Sequence, residues 1–211
     1  MHPHFLVLFC ILSSFHGLSQ TLIADVGISV TRLSFDLGPD TRPGGLFEKP
    51  FIGFAMAAGI QYHSSKHVDI SGKLGVIQKG GRSDITRSAY NTAGPELNYL
   101  TWTNPFRVKY PVTETILPFL TIGPHAQYLF SYSNHFAGLE ENGELRRFNY
   151  GLFSGLGASY VAGAFEFGIK GEYYFDFNPV VNIEPSDNNS GVKATTRTYT
   201  ISVTCSYDLG F

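Results

Sequence analysis

Between Arg197 and Phe211 the side chains alternate without a break. Tyr199, Ile201, Val203, Cys205, Tyr207, Leu209 and Phe211 fall on one side, and Thr198, Thr200, Ser202, Thr204, Ser206, Asp208 and Gly210 on the other. A period of two belongs to a β-strand, whose successive side chains point to opposite faces, and it argues against a helix here. One face is apolar and the other small and polar. Parity alone lets the apolar face meet either a protein core or lipid. A strand that closes on an aromatic, with nothing following to cover it, is expected to turn that face to lipid.

The rest of the chain repeats the pattern. Seven further alternating segments are read at 23–31, 51–62, 68–79, 99–110, 118–132, 148–160 and 164–174, and their connections alternate between long and short. An even number of strands with short turns at one end and long loops at the other predicts an all-β, eight-stranded, antiparallel, up-and-down transmembrane barrel. Both ends of the barrel domain then lie on the short-turn, periplasmic side. Aromatics on the apolar parity gather near strand ends. Tyr62, Tyr110, Tyr160, Phe165, Tyr207 and Phe211 are expected at one level, and Trp102, Tyr128, Phe130, Tyr150, Tyr173 and Tyr199 at the other. Two bands at two heights are what the two faces of a membrane select. A soluble lipocalin-like binding barrel is the alternative, and it gives no reason for two bands. Asn104 breaks the apolar face of the fourth segment, and nothing in the sequence explains it.

The N-terminal run Phe5 to Phe15, followed by Gly17 and Ser19, reads as a signal peptide over residues 1–19, with the barrel domain over 20–211. Placing Cys10 in the leader leaves Cys205 alone, so no disulfide or thiolate metal site is expected within the barrel. A formal net charge of -2 gives no electrostatic case for nucleic acid.

Several local motifs occur in order along the segments: Gln78-Lys79-Gly80-Gly81, Pro105 with Lys109, Pro118-Phe119 then Gly123-Pro124, the alternate glycines Gly151, Gly155 and Gly157, and the terminal Phe211. In these the chain resembles the eight-stranded outer-membrane barrels of Bacteroidota, the PorT or "porin family" type. Thr103-Asn104 departs from the usual acidic and aliphatic pair. The resemblance implies an outer-membrane location. It also implies that Val203, Cys205, Tyr207, Leu209 and Phe211 form the strand recognised by the barrel-assembly machinery.

The inward parity collects Asp25, Glu166, Glu172 and Asp208 as anions and Lys73, Arg107, Lys109 and Lys170 as cations, with His125 near mid-strand. Balanced signs argue against a one-sign ion filter, and the interior of eight strands is just filled by side chains. The expectation is a plugged lumen, with a narrow pore for small solutes or ions as the alternative. His125 with Glu166 or Asp25, and His135 with Glu140, Glu141 and Glu144, have no triad or ligand spacing. No enzymatic activity, cofactor or metal is therefore expected. The expected partners are outer-membrane lipid, the assembly machinery, and an envelope complex or extracellular ligand met through the long loops by a monomeric barrel. Phe35, Phe47, Arg82, Arg87, Tyr90, Phe136 and Arg146 are the loop residues read as contacts.

Overall fold

The computed structural model describes residues 21–36, 49–82, 96–133, 145–183 and 191–210. The predicted leader, His135 with Glu140, Glu141 and Glu144, and Phe47, Arg87, Tyr90, Phe136 and Phe211 lie outside the described residues.

The regular elements are β1 (Thr21–Asp36), β2 (Lys49–Ser64), β3 (Val68–Arg82), β4 (Glu96–Thr103), β5 (Phe106–Lys109), β6 (Ile116–Tyr132), β7 (Phe148–Ala162), β8 (Phe165–Asp176), β9 (Val181–Ile183) and β10 (Val192–Asp208). Pairing is antiparallel in the order β1-β2-β3-β4-β6-β7-β8-β10, with β5 also between β3 and β6, and β1 pairs with both β2 and β10, which closes the sheet. Closure leaves no open edge on the ring. From Ile23 the ladder runs through Gly59, Lys73, Thr103, His125, Gly151 and Asp176, then beside Thr196 to Leu33, ten residues further along β1. That stagger belongs to strands tilted by about 40°.

The ring has eight strands because β4 and β5 are one strand in a single register. Lys73 opposes Thr103 on β4 and Ile70 opposes Phe106 on β5. Pro105 has no N–H to give the ladder, so regular pairing lapses at Asn104-Pro105 and resumes in phase. The Pro105 carbonyl still accepts from Ser71 N at 3.2 Å, and Asn104 N donates to the Pro124 carbonyl at 3.1 Å. The fourth predicted segment, 99–110, thus starts three residues late, since β4 begins at Glu96, and is interrupted in the middle. Beyond β8, β9 pairs with the outer end of β10 and with Leu145, extending the wall within a stretch read from the sequence as loop. At the opposite end, Gly163 takes a φ of 64° in the tight β7–β8 turn, a conformation glycine adopts without strain.

The apolar parity faces outward. Val26 is 66% exposed, Leu74 61%, Leu156 67% and Val203 60%, while Asp25, Lys73, Lys170 and Ser202 are buried inside. A soluble barrel would reverse this, so the lipocalin-like alternative is excluded. Two outward aromatic pairs mark levels on the wall: Phe165 with Tyr207 at a centroid distance of 4.8 Å near the short turns, and Tyr173 with Tyr199 at 4.7 Å towards the long loops. Tyr199 and Tyr207 are eight residues apart on β10, about 26 Å along the strand and about 20 Å along the axis once tilted. That is close to the apolar height of about 25 Å that a bilayer core asks of such a barrel.

Asn104 now has an account. Its Oδ1 accepts a hydrogen bond from the Tyr62 hydroxyl at 2.9 Å, reaching over Gly72 on the intervening strand. A Cβ on Gly72 would come within 3.7 Å of that oxygen. The polar exception on the lipid face is part of a bridge across three strands.

Candidate functional site

The strand tilt and register stack the inward side chains in layers. Nearest the short turns, Arg107 spans two carboxylates: its Nε donates to Asp69 Oδ2 at 2.8 Å and its NH1 to Glu166 Oε1 at 2.6 Å. Lys109 Nζ reaches the other oxygen of Asp69 at 2.7 Å. The Arg107 guanidinium also lies 5.0 Å from the ring centroid of Phe119, a cation–π contact. Two cations and two anions make this layer neutral.

The next layer is neutral as well. Lys73 Nζ and Lys170 Nζ both donate to Asp25 Oδ2, at 2.8 and 3.0 Å, and Lys170 also donates to Glu172 Oε1 at 2.8 Å. Cavities of about 30 Å³ flank it on either side, both lined by Lys73, Pro105, Lys170 and Glu172. Each has room for about one water molecule.

Above these charges Tyr174 stacks on Phe153 at 5.5 Å and meets the edge of His125 at 5.2 Å. His125 Nε2 lies 2.8 Å from Asp176 Oδ1, and Lys79 Nζ donates to Asp176 Oδ2 at 2.7 Å. Thr196 Oγ1 also donates to Asp176 Oδ2. Side chains of Lys79 and His125 are 0% exposed and that of Asp176 is 1% exposed. Towards the long loops the lumen then turns apolar: Leu33, Leu97, Leu129, Leu145, Val180 and Val181 pack into one buried cluster with Ile77, Tyr99 and Ala194.

Every cation and anion named here is paired, as charges withdrawn from water require. The structure brings Asp25, Lys73, Lys170 and Glu172 together, and Arg107, Lys109 and Glu166 together. It does not bring Asp208 to them, for Asp208 is exposed at the short-turn rim, with its Oδ1 accepting from Gly210 N at 3.1 Å. His125 meets neither Glu166 nor Asp25 but Asp176. Sequence reasoning missed three members: Asp69, Lys79 and Asp176. All three sit near strand ends, and extending the inward parity by two to four residues would have found Asp69 and Lys79.

The predicted girdle residues Trp102, Tyr110, Tyr128, Phe130, Tyr150, Tyr160, Phe165 and Tyr199 all lie exposed on the outer wall, and Tyr62 and Tyr173 are half-buried there. On β10 Val203 and Tyr207 face outward and Cys205 is half-buried, as is Leu209 just past the strand's end. Arg82 and Arg146 are exposed at the long-loop rim. Among the described residues no cluster of three or more His, Cys, Asp or Glu side chains could hold a metal, and no helix is long and apolar enough to cross a membrane.

No protein-family model matches the chain, and no curated protein sequence is detectably similar to it. Solved structures do share its fold. The chain is similar to OprG, an outer-membrane protein of Pseudomonas aeruginosa, at 11% identity and a TM-score of 0.55, covering 90% of this chain and 97% of that one. It is similar to the neisserial surface protein NspA at 12% identity and a TM-score of 0.52, again covering 90% and 97%. With its own apolar wall turned outward, the chain is an eight-stranded antiparallel β-barrel of the outer membrane.

Proposed function

We propose that this is a closed, non-enzymatic barrel that serves as a monomeric structural or accessory component of the outer membrane, binding an envelope partner or an extracellular ligand through its long loops. One observation carries the reading: neutral charge layers and an apolar layer succeed one another along the lumen, with cavities of about 30 Å³ beside the central charges. A filled interior leaves the loops and the outer wall as the surfaces on which to act. Connections as long as 37–48 and 83–95 in a compact domain are usually functional.

The order of motifs from Gln78 to Phe211 supports a place among the Bacteroidota barrels of the PorT type. It also supports Val203, Cys205, Tyr207, Leu209 and Phe211 as the assembly strand. Deleting Phe211 is expected to abolish the heat-modifiable gel migration of barrel made in cells, and unchanged migration would overturn that role. The accessory reading is tested by purifying tagged protein from its native outer membrane in mild detergent. A stoichiometric companion protein is expected. A clean monomer, with no bound extracellular ligand, would contradict it.

A further inference from the structure

Arg32 on β1 and Arg197 on β10 stand directly opposite each other in the ladder. Both are exposed, and both point out of the barrel, in phase with Val30 and Tyr199. Like charges at opposed positions, with Cβ atoms about 5 Å apart, repel one another. Among the described residues neither guanidinium has an ionic or hydrogen-bonding partner. An antiparallel pair that tolerates this repulsion is suited to a shared anion.

Its height on the wall narrows the choice of anion. The pair lies two residues beyond the opposed Val30 and Tyr199, about 7 Å along the strands towards the long loops. Tyr199 itself packs on Tyr173 in the outer aromatic level. Aromatic girdles sit at the lipid interface, so the arginines stand where lipid headgroups begin. A groove of about 380 Å³ runs here, lined by Val30, Thr31, Pro50 and Tyr199 as well as the two arginines. Its upper end is cationic, and its lower end is continuous with the apolar wall.

We propose that Arg32 and Arg197 bind the phosphate-bearing headgroup of an outer-leaflet lipid, with an acyl chain of that lipid lying over Val30 and Tyr199. Guanidinium forks match phosphate oxygens in a bidentate manner, and one phosphate between them would turn the repulsion into a bridge. A free anion would use the arginines and leave the apolar part of the groove unused, which is why the lipid is favoured. The site depends on the barrel's place in the membrane and not on what the loops bind or whether the lumen is closed.

The test is native mass spectrometry of the refolded barrel in non-ionic detergent, titrated with diphosphoryl lipid A, with its dephosphorylated form, and with inorganic phosphate. The phosphorylated lipid is expected to bind at least about tenfold more tightly than the dephosphorylated one, the scale of one charge-assisted contact. Arg32→Gln with Arg197→Gln should abolish that difference, and Arg32→Lys with Arg197→Lys should keep part of it. Equal binding of the two lipids to the wild type would overturn the proposal. So would displacement of the lipid by inorganic phosphate at millimolar concentration, which would assign the pair to a free anion. Heat-modifiable migration checks that each variant is folded, and if the glutamine variant fails that check, the lysine variant and the wild-type lipid comparison decide.

Discussion

Asp176 is the residue whose loss the lumen should feel most. It accepts from Lys79 and Thr196 and lies beside His125, with Lys79 fully withdrawn from solvent. Asp176→Asn keeps size and hydrogen-bonding capacity while removing the charge, leaving an ammonium buried without a counter-ion. Removing one partner of a buried pair costs about 3–5 kcal/mol. With a urea m-value of about 1–3 kcal/mol/M, the unfolding midpoint should fall by roughly 2 M. Adding Lys79→Met to Asp176→Asn removes the stranded charge, and should recover all but about 1 kcal/mol. The assay is equilibrium urea unfolding from phospholipid vesicles. The single tryptophan, Trp102, faces outward at 46% exposure, so its emission reports departure from the bilayer. A cost below about 1 kcal/mol for the single variant, or a deeper loss in the double variant, would refute the claim that this pair is dry and mutually dependent.

Two further expectations concern the wall. Arg197→Glu converts the opposed arginines into an ion pair and should stabilise the barrel in detergent free of anionic lipid by about 0.2–1 kcal/mol; the gain should shrink at high salt, and thermal unfolding at two ionic strengths checks both. Tyr62→Phe leaves Asn104 Oδ1 without its donor on the lipid face and should cost about 0.5–1.5 kcal/mol, while adding Asn104→Leu should recover that loss, both read by urea unfolding from vesicles.

Parity made most of the ring legible. Alternation on β10, β1 and β2 places the described residues on the faces where the structure has them, apart from Asp208 at the rim, because a one-residue slip would have moved every apolar side chain into the lumen. Sequence reading failed where parity outlasts composition. Leu33, in phase with Asp25 and Ser29, lies beyond the point where the first strand was ended, at a run read as loop. Leu97 precedes the predicted start of the fourth strand, and Leu145, Val180 and Val181 fall inside predicted loops. These residues build the apolar layer, and none looked like core because each is flanked by polar or turn-forming residues. Asp176 was missed by its position, in a stretch taken as the beginning of a long connection, although Phe175 and Phe177 flank it. Which cation meets which anion could not be read from the strands alone. Lys73 and Lys170 converge on Asp25 only because of the ten-residue stagger of the closed ring.

Planar-bilayer conductance of the refolded wild-type barrel tests the closed lumen most directly. The neutral layers around Asp25 and Arg107 and the apolar layer around Leu97 predict a flat trace, with no resolved steps in potassium chloride at either polarity. Stepwise openings that persist in Lys73→Ala and Glu166→Ala would show ions passing through the barrel and would contradict the account.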